Sequence, residues 1–351
     1  MYLSRRRILA SGLTLLPVAK SSWSFHWHNE KDQPPELTSE SIAAVKRGFQ
    51  WLRKTEVSHG AHGTDIGARP NVGCTAITGL ALLADGSTPQ HGLQKKHLNR
   101  IVEYLVGRVE RMTSGNISPG MGSQLQSDLG IHAHSFFALL FLGQVAGEVK
   151  HPKRVREAIK KLTDAVVKAQ LPSGDWGQEA WAPILGTVMG WESLRSANFA
   201  GFTVGGSPDK TAQHLIQQMK RRSVDPDNWM HTLYKNATGL RVLYAMGLEE
   251  EEVAKKALDQ VMTFLKRDNT AFNQAGGEDY LAFHLVTEAM LQKEDKDWDV
   301  WFPMVRDKVI RVQNKDGSWT GHHCITSRTF CTAAACLVLS APNRFLPISQ
   351  P

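Results

Sequence analysis

The segment QLPSGDW at residues 170–176 recurs as QNKDGSW at residues 313–319, so the pattern Gln-x-x-x-Gly-x-Trp occurs twice. Each copy follows a charged, amphipathic stretch, LTDAVVKA before the first and RDKVIRV before the second. Glycine readily adopts the left-handed backbone conformation that turns a chain sharply after a helix. We therefore expect the Gln to end an outer helix, the Gly to turn the chain, and the Trp to stack back over the Gln amide. This arrangement would tie one helical hairpin to the next.

Six apolar segments rich in small residues lie along the chain, separated by charged, amphipathic segments such as HLNRIVEYLVGRVERM. A helix that is apolar on nearly every side must be buried, whereas a helix with one polar face can lie outside. The spacing of about 45 to 60 residues corresponds to two helices and two loops per unit. The sequence thus predicts six helical hairpins, although repetition alone fits either an open solenoid or a closed ring. The six segments begin at Cys74, His134, Gly186, Asn236, Asp279 and Thr329.

The two Gln-x-x-x-Gly-x-Trp segments resemble the repeat of the squalene–hopene and oxidosqualene cyclases. Residues 40–350 resemble the single-domain bacterial proteins that carry prenyltransferase and squalene-oxidase repeats. The resemblance implies an all-α fold, an (α/α)6 toroid with an inner apolar barrel, an outer amphipathic barrel and a central cavity. It does not by itself imply turnover, because one fold hosts many functions. Weaker relics of the repeat stand at Leu52 and at DPDNW, residues 225–229.

The first twenty residues, MYLSRRRILASGLTLLPVAK, combine a basic start with an apolar stretch of signal-peptide length. SRRRIL resembles the twin-arginine export signal, and the apolar stretch is too short to span a membrane. We expect residues 1–20 to be an export signal, 21–39 a linker, and 40–351 the toroid domain of a periplasmic or otherwise extracytoplasmic protein. The alternative is an uncleaved amphipathic anchor, which would hold the protein at the cytoplasmic face of a membrane.

The formal charge of +7 comes largely from this leader, which holds four basic residues and no acid and leaves +3 for the remaining chain. Elsewhere, Lys and Arg alternate with Asp and Glu along the predicted helices, which indicates solvated faces rather than a phosphate-binding stripe. We expect no nucleic-acid partner and no transmembrane segment in the mature chain.

The acid of class II terpene cyclases is the middle Asp of an Asp-x-Asp-Asp run, and this run is absent from the sequence. The nearest match, Asp225-Pro-Asp227-Asn228, has ordinary turn chemistry. The zinc site of the protein prenyltransferases needs an Asp-x-Cys pair and a His. Asp279 matches the Asp, but Leu281 and Arg328 stand at the Cys and His positions.

Other enzymes with this fold, which act on polysaccharides, use paired carboxylates or a basic residue across a cleft. The catalytic candidates on this reading are Glu278, Asp279 and Arg328, with Glu179 as a further acid. An aromatic or polar lining of a central cavity for an apolar ligand is a second kind of candidate site. Helical apolar stripes are, however, equally typical of a tight core. The cavity candidates are His134, Phe137, Trp191, Tyr280 and His284.

Several histidines precede the first, second and sixth inner helices, and a closed ring would make these units neighbours. Imidazoles and a thiolate gathered on one part of the rim could bind zinc or another transition metal, oriented by acids such as Asp65 or Asp128. The alternative is that these loop histidines cap helices or face water. The candidate ligands are His59, His62, His132, His134, His322, His323 and Cys324.

Cys74 and Cys331 occupy equivalent places in the first and last inner helices. Adjacent helix axes lie about 8–10 Å apart, whereas a disulfide needs Cα atoms at about 5.5 Å. The sequence therefore favours two buried free thiols over a bridge that closes the ring.

These observations predict an exported, terpenoid-cyclase-like or prenyltransferase-like toroid that binds an apolar, isoprenoid-like or peptide ligand in its central cavity. Catalysis is not predicted, because both known motifs are missing. The alternatives are an isoprenoid- or polysaccharide-processing enzyme that uses Glu278 or Asp279, and a structural scaffold of an envelope complex. An acid-lined pocket would favour an enzyme, and a filled cavity would favour a scaffold.

Overall fold

The computed structural model describes residues 33–118, 122–221, 229–267, 270–293 and 296–349. The expected export signal, most of the expected linker, and the Asp225–Asn228 turn lie outside these residues. Within them, no helix is both long and apolar enough to cross a membrane.

The described residues form fourteen α-helices, of which six form an inner barrel: α2, α5, α7, α9, α12 and α14. Each inner helix packs against the next, and α14 packs against α2, so the ring is closed. The prediction of an α/α toroid is therefore confirmed. In chain order the helices are α1 (Ser39–Leu52), α2 (Val72–Ala84), α3 (Lys95–Glu110), α4 (Gln124–Leu129), α5 (Ala133–Val145), α6 (Pro152–Ala169), α7 (Pro183–Phe199), α8 (Ser207–Lys220), α9 (Trp229–Ala245), α10 (Glu252–Arg267), α11 (Thr270–Asn273), α12 (Gly277–Lys293), α13 (Lys296–Arg311) and α14 (Arg328–Ser340).

The inner helices are buried almost completely, as their composition predicts. All thirteen residues of α2 are buried, whereas α6 buries one apolar face and exposes a charged one. Small residues let the inner helices approach closely. A Cβ on Gly143 of α5 would lie 2.3 Å from Oγ of Ser196 on α7, so only glycine fits at this crossing.

The two Gln-x-x-x-Gly-x-Trp segments adopt the same local structure. The indole N–H of Trp176 donates to the carbonyl of Val166 at 2.8 Å, and that of Trp319 donates to the carbonyl of Val309 at 2.8 Å. Gly174 and Gly317 have φ values of +95° and +92°, the left-handed turn expected from the sequence. Each Trp is thereby fixed to the outer helix that precedes it.

The Gln amides make the connection to the next outer helix. Nε2 of Gln170 donates to Oγ1 of Thr211 on α8 at 2.7 Å, and Nε2 of Gln313 donates to the carbonyl of Ala44 on α1 at 2.9 Å. Both amides also bond the carbonyl of their own turn glycine. The second segment therefore joins the last hairpin to α1, at the point where the ring closes.

A short β-hairpin, β1 (Glu56–Ser58) and β2 (Ala61–His62), interrupts the helical pattern. The prediction of an all-α fold did not include this hairpin. The turn is two residues long, with His59 at φ +43° and Gly60 at φ +90°, and two left-handed residues are what such a tight turn requires. A Cβ on Gly60 would lie 2.2 Å from the backbone of Arg100.

All four cysteines are free thiols, and Cys74 and Cys331 are buried. Sγ of Cys74 lies 3.4 Å from Oγ of Ser327, within hydrogen-bond distance. The expectation of free thiols in the first and last inner helices is confirmed.

Candidate active site

The inner helices begin at one end of the barrel, which we call the rim. There the backbone N–H of Gly73 on α2 donates to Nδ1 of His134 on α5 at 3.0 Å. The backbone N–H of Ala182, just before α7, donates to the carbonyl of Asp128 at 2.8 Å. Residues from loops and first turns of different hairpins therefore meet at this end.

Two acidic side chains, Glu278 and Asp279, lie in the first turn of α12 and are fully buried. Asp279 accepts hydrogen bonds from the backbone N–H of Gly276 at 2.7 Å and from the hydroxyl of Tyr234 at 3.2 Å. Nε2 of His323 lies 2.9 Å from the same carboxylate. Three groups from three parts of the chain thus surround Asp279.

Glu278 is less well satisfied. Its Oε2 accepts the backbone N–H of Ile325 at 3.1 Å, while its Oε1 has no hydrogen-bond partner among the described residues. A buried polar atom without a partner is costly and calls for an explanation. Proton, substrate or metal binding by Glu278 would each supply one.

The groups around these acids form what we call the rim cluster: Asp128, Tyr234, Glu278, Asp279, His323 and Cys324. Burial raises the pKa of Glu278 to about 7, and the charges of Asp128 and Asp279 add to this effect. Burial also raises the pKa of Asp128 to about 6. Carboxyls with such values can hold or release a proton near neutral pH.

The negative charges of these acids also shift the pKa values of His323 and Cys324. The hydrogen bond to Asp279 raises the pKa of His323, which favours its charged form. Burial and then the nearby charge of Glu278 raise the pKa of the Cys324 thiol to about 12, so this thiol stays protonated. The side chain of His323 is 26% exposed, which gives the cluster a route to solvent.

Glu278, His323 and Cys324 also form the group in the described residues that could hold a metal ion. One ligand atom from each lies within 4.8 Å of the other two. Cys324 has φ +44°, a conformation that is rare and strained for a residue with a side chain.

The seven candidate metal ligands do not gather in one place among the described residues; of the seven, His323 and Cys324 belong to the group that could hold a metal ion. Nε2 of His62 lies 2.8 Å from Nε2 of His97, and Nδ1 of His62 lies 2.8 Å from the hydroxyl of Thr55. Nε2 of His134 lies 2.8 Å from Oγ of Ser123. Each of these histidines has a partner close by, so ring closure brings the loops together without bringing the imidazoles together. His59 and His322 are exposed, and His132 is half-buried.

Arg328 lies away from Asp279, in a role that supports the ring. It pairs with Asp316 and, at 3.6 Å, with Asp65, and its guanidinium lies 4.7 Å from the ring centre of Trp51. Glu179 is exposed. The structure therefore brings Glu278 and Asp279 into the rim cluster, while Arg328 and Glu179 lie outside it.

Of the cavity candidates, His284 lines the interior of the barrel. Side chains from all six inner helices fill this interior and leave a cavity of about 30 Å³. Phe137 packs edge-on against Phe330 and Tyr280 packs edge-on against Phe283, as core residues do. Trp191 is buried beneath the guanidinium of Arg195.

Tyr234 is the member of the rim cluster that our sequence analysis did not consider. It lies on α9, within the sequence LYKNATG, where no motif marks it. Only the packing of α9 against α12 brings its hydroxyl to Asp279.

Comparison with solved structures gives similar folds at low sequence identity. A type II terpene cyclase from Scytonema, in complex with geranylgeranyl dihydroxybenzoate, matches with a TM-score of 0.54 at 14% identity, covering 88% of this chain and 98% of that chain. A glycosidase in complex with glucose matches with a TM-score of 0.54 at 12% identity and the same coverage. No family model matches the sequence, and neither does any curated protein. The chain thus shares the toroid fold with two different classes of enzyme.

Proposed function

We propose that this protein is an acid–base enzyme whose rim cluster acts on a polar, saccharide-like substrate. The observation that carries the proposal is Glu278, a buried carboxyl with a free oxygen and a pKa raised to about 7. Such a group can donate a proton to a leaving oxygen at neutral pH.

The filled interior argues for the rim rather than the centre of the barrel. Sites for small molecules typically have volumes of about 300–1,000 Å³, whereas the interior cavity measures about 30 Å³. An isoprenoid-like ligand in the centre, our first expectation, would need a rearranged core. The polysaccharide-processing alternative does not require this interior cavity.

The rim cluster supplies the pair of carboxyls that glycoside hydrolysis uses, one that donates a proton and one that acts as a base or nucleophile. In our proposal Glu278 is the acid. Asp279, held by Tyr234 and the backbone of Gly276, is the partner carboxylate. Nε2 of His323 lies 2.9 Å from the carboxylate of Asp279 and holds it in place. Asp128 is a further carboxyl of the rim cluster that can hold a proton near neutral pH.

An exposed aromatic residue has its main chain next to the segment that carries Asp128, and its ring packs against His231. Trp181 is 43% exposed, and its backbone N–H donates to the carbonyl of Ser127, next to Asp128. Exposed Trp side chains combine a large apolar face with a polar edge. A sugar ring, which has an apolar face of C–H groups, is a suitable partner for it.

The test is hydrolysis of a panel of oligosaccharides by the purified protein and by Glu278→Gln, followed as released reducing ends. We expect the substitution to lower kcat by about 10²–10⁴-fold, the typical contribution of a general acid. Glu157→Gln, on the exposed face of α6, is the control and should leave the rate unchanged. A panel without any turnover, or equal rates for both variants, would contradict the proposal.

The filled interior supports a second candidate, a scaffold of an envelope complex, which would show no turnover. A metal-dependent reaction is a further alternative, because Glu278, His323 and Cys324 could bind a transition metal. Metal analysis of the purified protein decides this point, since stoichiometric zinc would make Glu278 a ligand instead of an acid. We also propose that the protein works outside the cytoplasm. A fusion to a reporter that is active only after export tests this proposal.

A further inference from the structure

The last described residues of the chain form a segment that crosses the barrel at the end opposite the rim. We call residues 343–349 the C-terminal strap. Nδ2 of Asn343 donates to the carbonyl of Ala84, at the end of α2, at 3.2 Å. Nη2 of Arg344 donates to the carbonyl of Leu291 on α12 at 3.2 Å. The strap therefore spans from one inner helix to another.

Two side chains of the barrel contact the main chain of the strap. The backbone N–H of Ile348 donates to Oε1 of Gln144, next to the end of α5, at 3.0 Å. Nη2 of Arg241 on α9 donates to the carbonyl of Ile348 at 3.3 Å. Leu346 and Ile348 are only 5% and 6% exposed and form part of the wall of the interior cavity. Side-chain bonds to the peptide groups, together with aliphatic side chains in apolar pockets, are the features by which proteins bind extended peptides.

Beneath the strap lies a group of buried charges. Nε of Arg241 pairs with Oε1 of Glu192 at 2.6 Å, and His284 and Glu288 line the same cavity. Among the described residues, Nη1 of Arg241, Nδ1 of His284 and Oε2 of Glu288 have no hydrogen-bond partner. If the strap moved away, the side chains of Arg241, His284 and Glu288 would become exposed to solvent, and hydration of buried charged and polar groups is favourable. This gain offsets part of the apolar contact that is lost when the strap leaves.

We propose that this end of the barrel is a binding site for an aliphatic peptide and that the C-terminal strap is its resident occupant. The partner that fits is a peptide with two aliphatic side chains in alternate positions, as in Leu346 and Ile348. Its peptide groups would bond Arg241 and Gln144. The site lies on the opposite side of the barrel from the rim cluster, and it does not depend on the function proposed above.

The first test compares the full chain with a chain that ends at Asn343, using a fluorescent peptide of residues 344–351. We expect saturable binding to the shortened chain, measured by fluorescence anisotropy. Binding to the full chain should be at least tenfold weaker, because the resident strap competes. A peptide with Asp in place of Leu346 and Ile348 should not bind. The proposal is overturned if the shortened chain folds but does not bind the peptide, or if both chains bind it equally.

The second test uses the full chain and holds even if the shortened chain does not fold. Hydrogen exchange should show the Ile348 amide exchanging at least tenfold faster than amides in the middle of α9, because a replaceable strap opens without the barrel. Gln144→Leu, which removes the acceptor of that amide and a bond to Ser196 on α7, should speed exchange more in the strap than in the middle of α9. The matched Gln218→Leu on α8 should leave it unchanged. Equal exchange in the strap and in α9 would make the strap an integral part of the core and overturn the proposal.

Discussion

The two ends of the barrel hold acidic residues in opposite ways, although α9 and α12 contribute to both. At the rim, Asp128, Glu278 and Asp279 lie near one basic partner, His323, and the pKa values of the first two are raised. At the far end, Glu192 lies between the guanidinium groups of Arg241 and Arg195. A buried acid without a strong cationic partner has a raised pKa and can exchange a proton near neutral pH. Our proposal therefore assigns proton chemistry to the rim, whereas the far end holds a buried charge pair.

The largest expected effect comes from breaking the charge pair at the far end. Arg241→Ala leaves Glu192 buried without its closest cation, and loss of one partner of a buried pair costs about 3–5 kcal/mol. Urea unfolding measures this loss. Arg154→Ala is the control: Arg154 pairs with Glu103 and Glu110 but is 41% exposed, so it should cost less than about 1 kcal/mol. A loss of similar size in both variants would remove the distinction between the two kinds of pair.

A pH-dependent effect is expected at the rim. Because the pKa of Glu278 is about 7 in the folded chain, against an ordinary value of 4.5 for a glutamate, the folded state retains a proton that the unfolded chain releases. Glu278 should therefore contribute a fall in stability of about 3 kcal/mol as pH rises from about 4.5 to 7, read as the difference between the parent chain and the variant. Glu278→Gln cannot ionise and should remove most of this slope. Unfolding curves from pH 4.5 to 8 provide the measurement, and an unchanged slope in the variant would show that Glu278 does not carry it.

A dependence of opposite sign is expected in the outer wall, at the β-hairpin. Burial lowers the pKa of His62 to about 3 and that of His97 to about 4. The unfolded chain therefore binds protons first, and stability should be lost as pH falls from about 6.5, by about 2 kcal/mol per histidine at pH 5. His62→Gln should reduce this loss. Acid unfolding of the variant and the parent chain tests it, and parallel curves would count against the histidine pair as the cause.

The smallest effect on stability is expected at Trp181. Its side chain is 43% exposed, so Trp181→Ala should change the free energy of unfolding by less than about 0.5 kcal/mol. If the side chain holds substrate at the rim, the same substitution should raise KM for any saccharide that the protein hydrolyses. An unchanged KM would exclude this side chain from substrate binding.

The fold could be predicted from the sequence because its determinants are local. Two Gln-x-x-x-Gly-x-Trp segments fix helix ends, and six nearly all-apolar helices must be buried together. The site could be predicted only in part. Glu278 and Asp279 stand out as acids at the start of an apolar helix, but Tyr234 becomes relevant only through the packing of α9 on α12. The sequence left the role of the loop histidines open, because it places loops around a ring without showing which way each side chain turns.

The closure of the ring also constrains how the chain can fold. Helix α1, from the start of the chain, packs on α14, from its end, and Nη1 of Arg306 bonds the carbonyl of Glu36 at 2.9 Å. This contact between α1 and α14, which we call the seam, joins segments that are distant in sequence. Forming such a contact costs loop-closure entropy before the contact contributes stability. Helix α1 can therefore pack into the ring only after the ribosome has synthesised α14. Deleting either end of the domain would open the same seam.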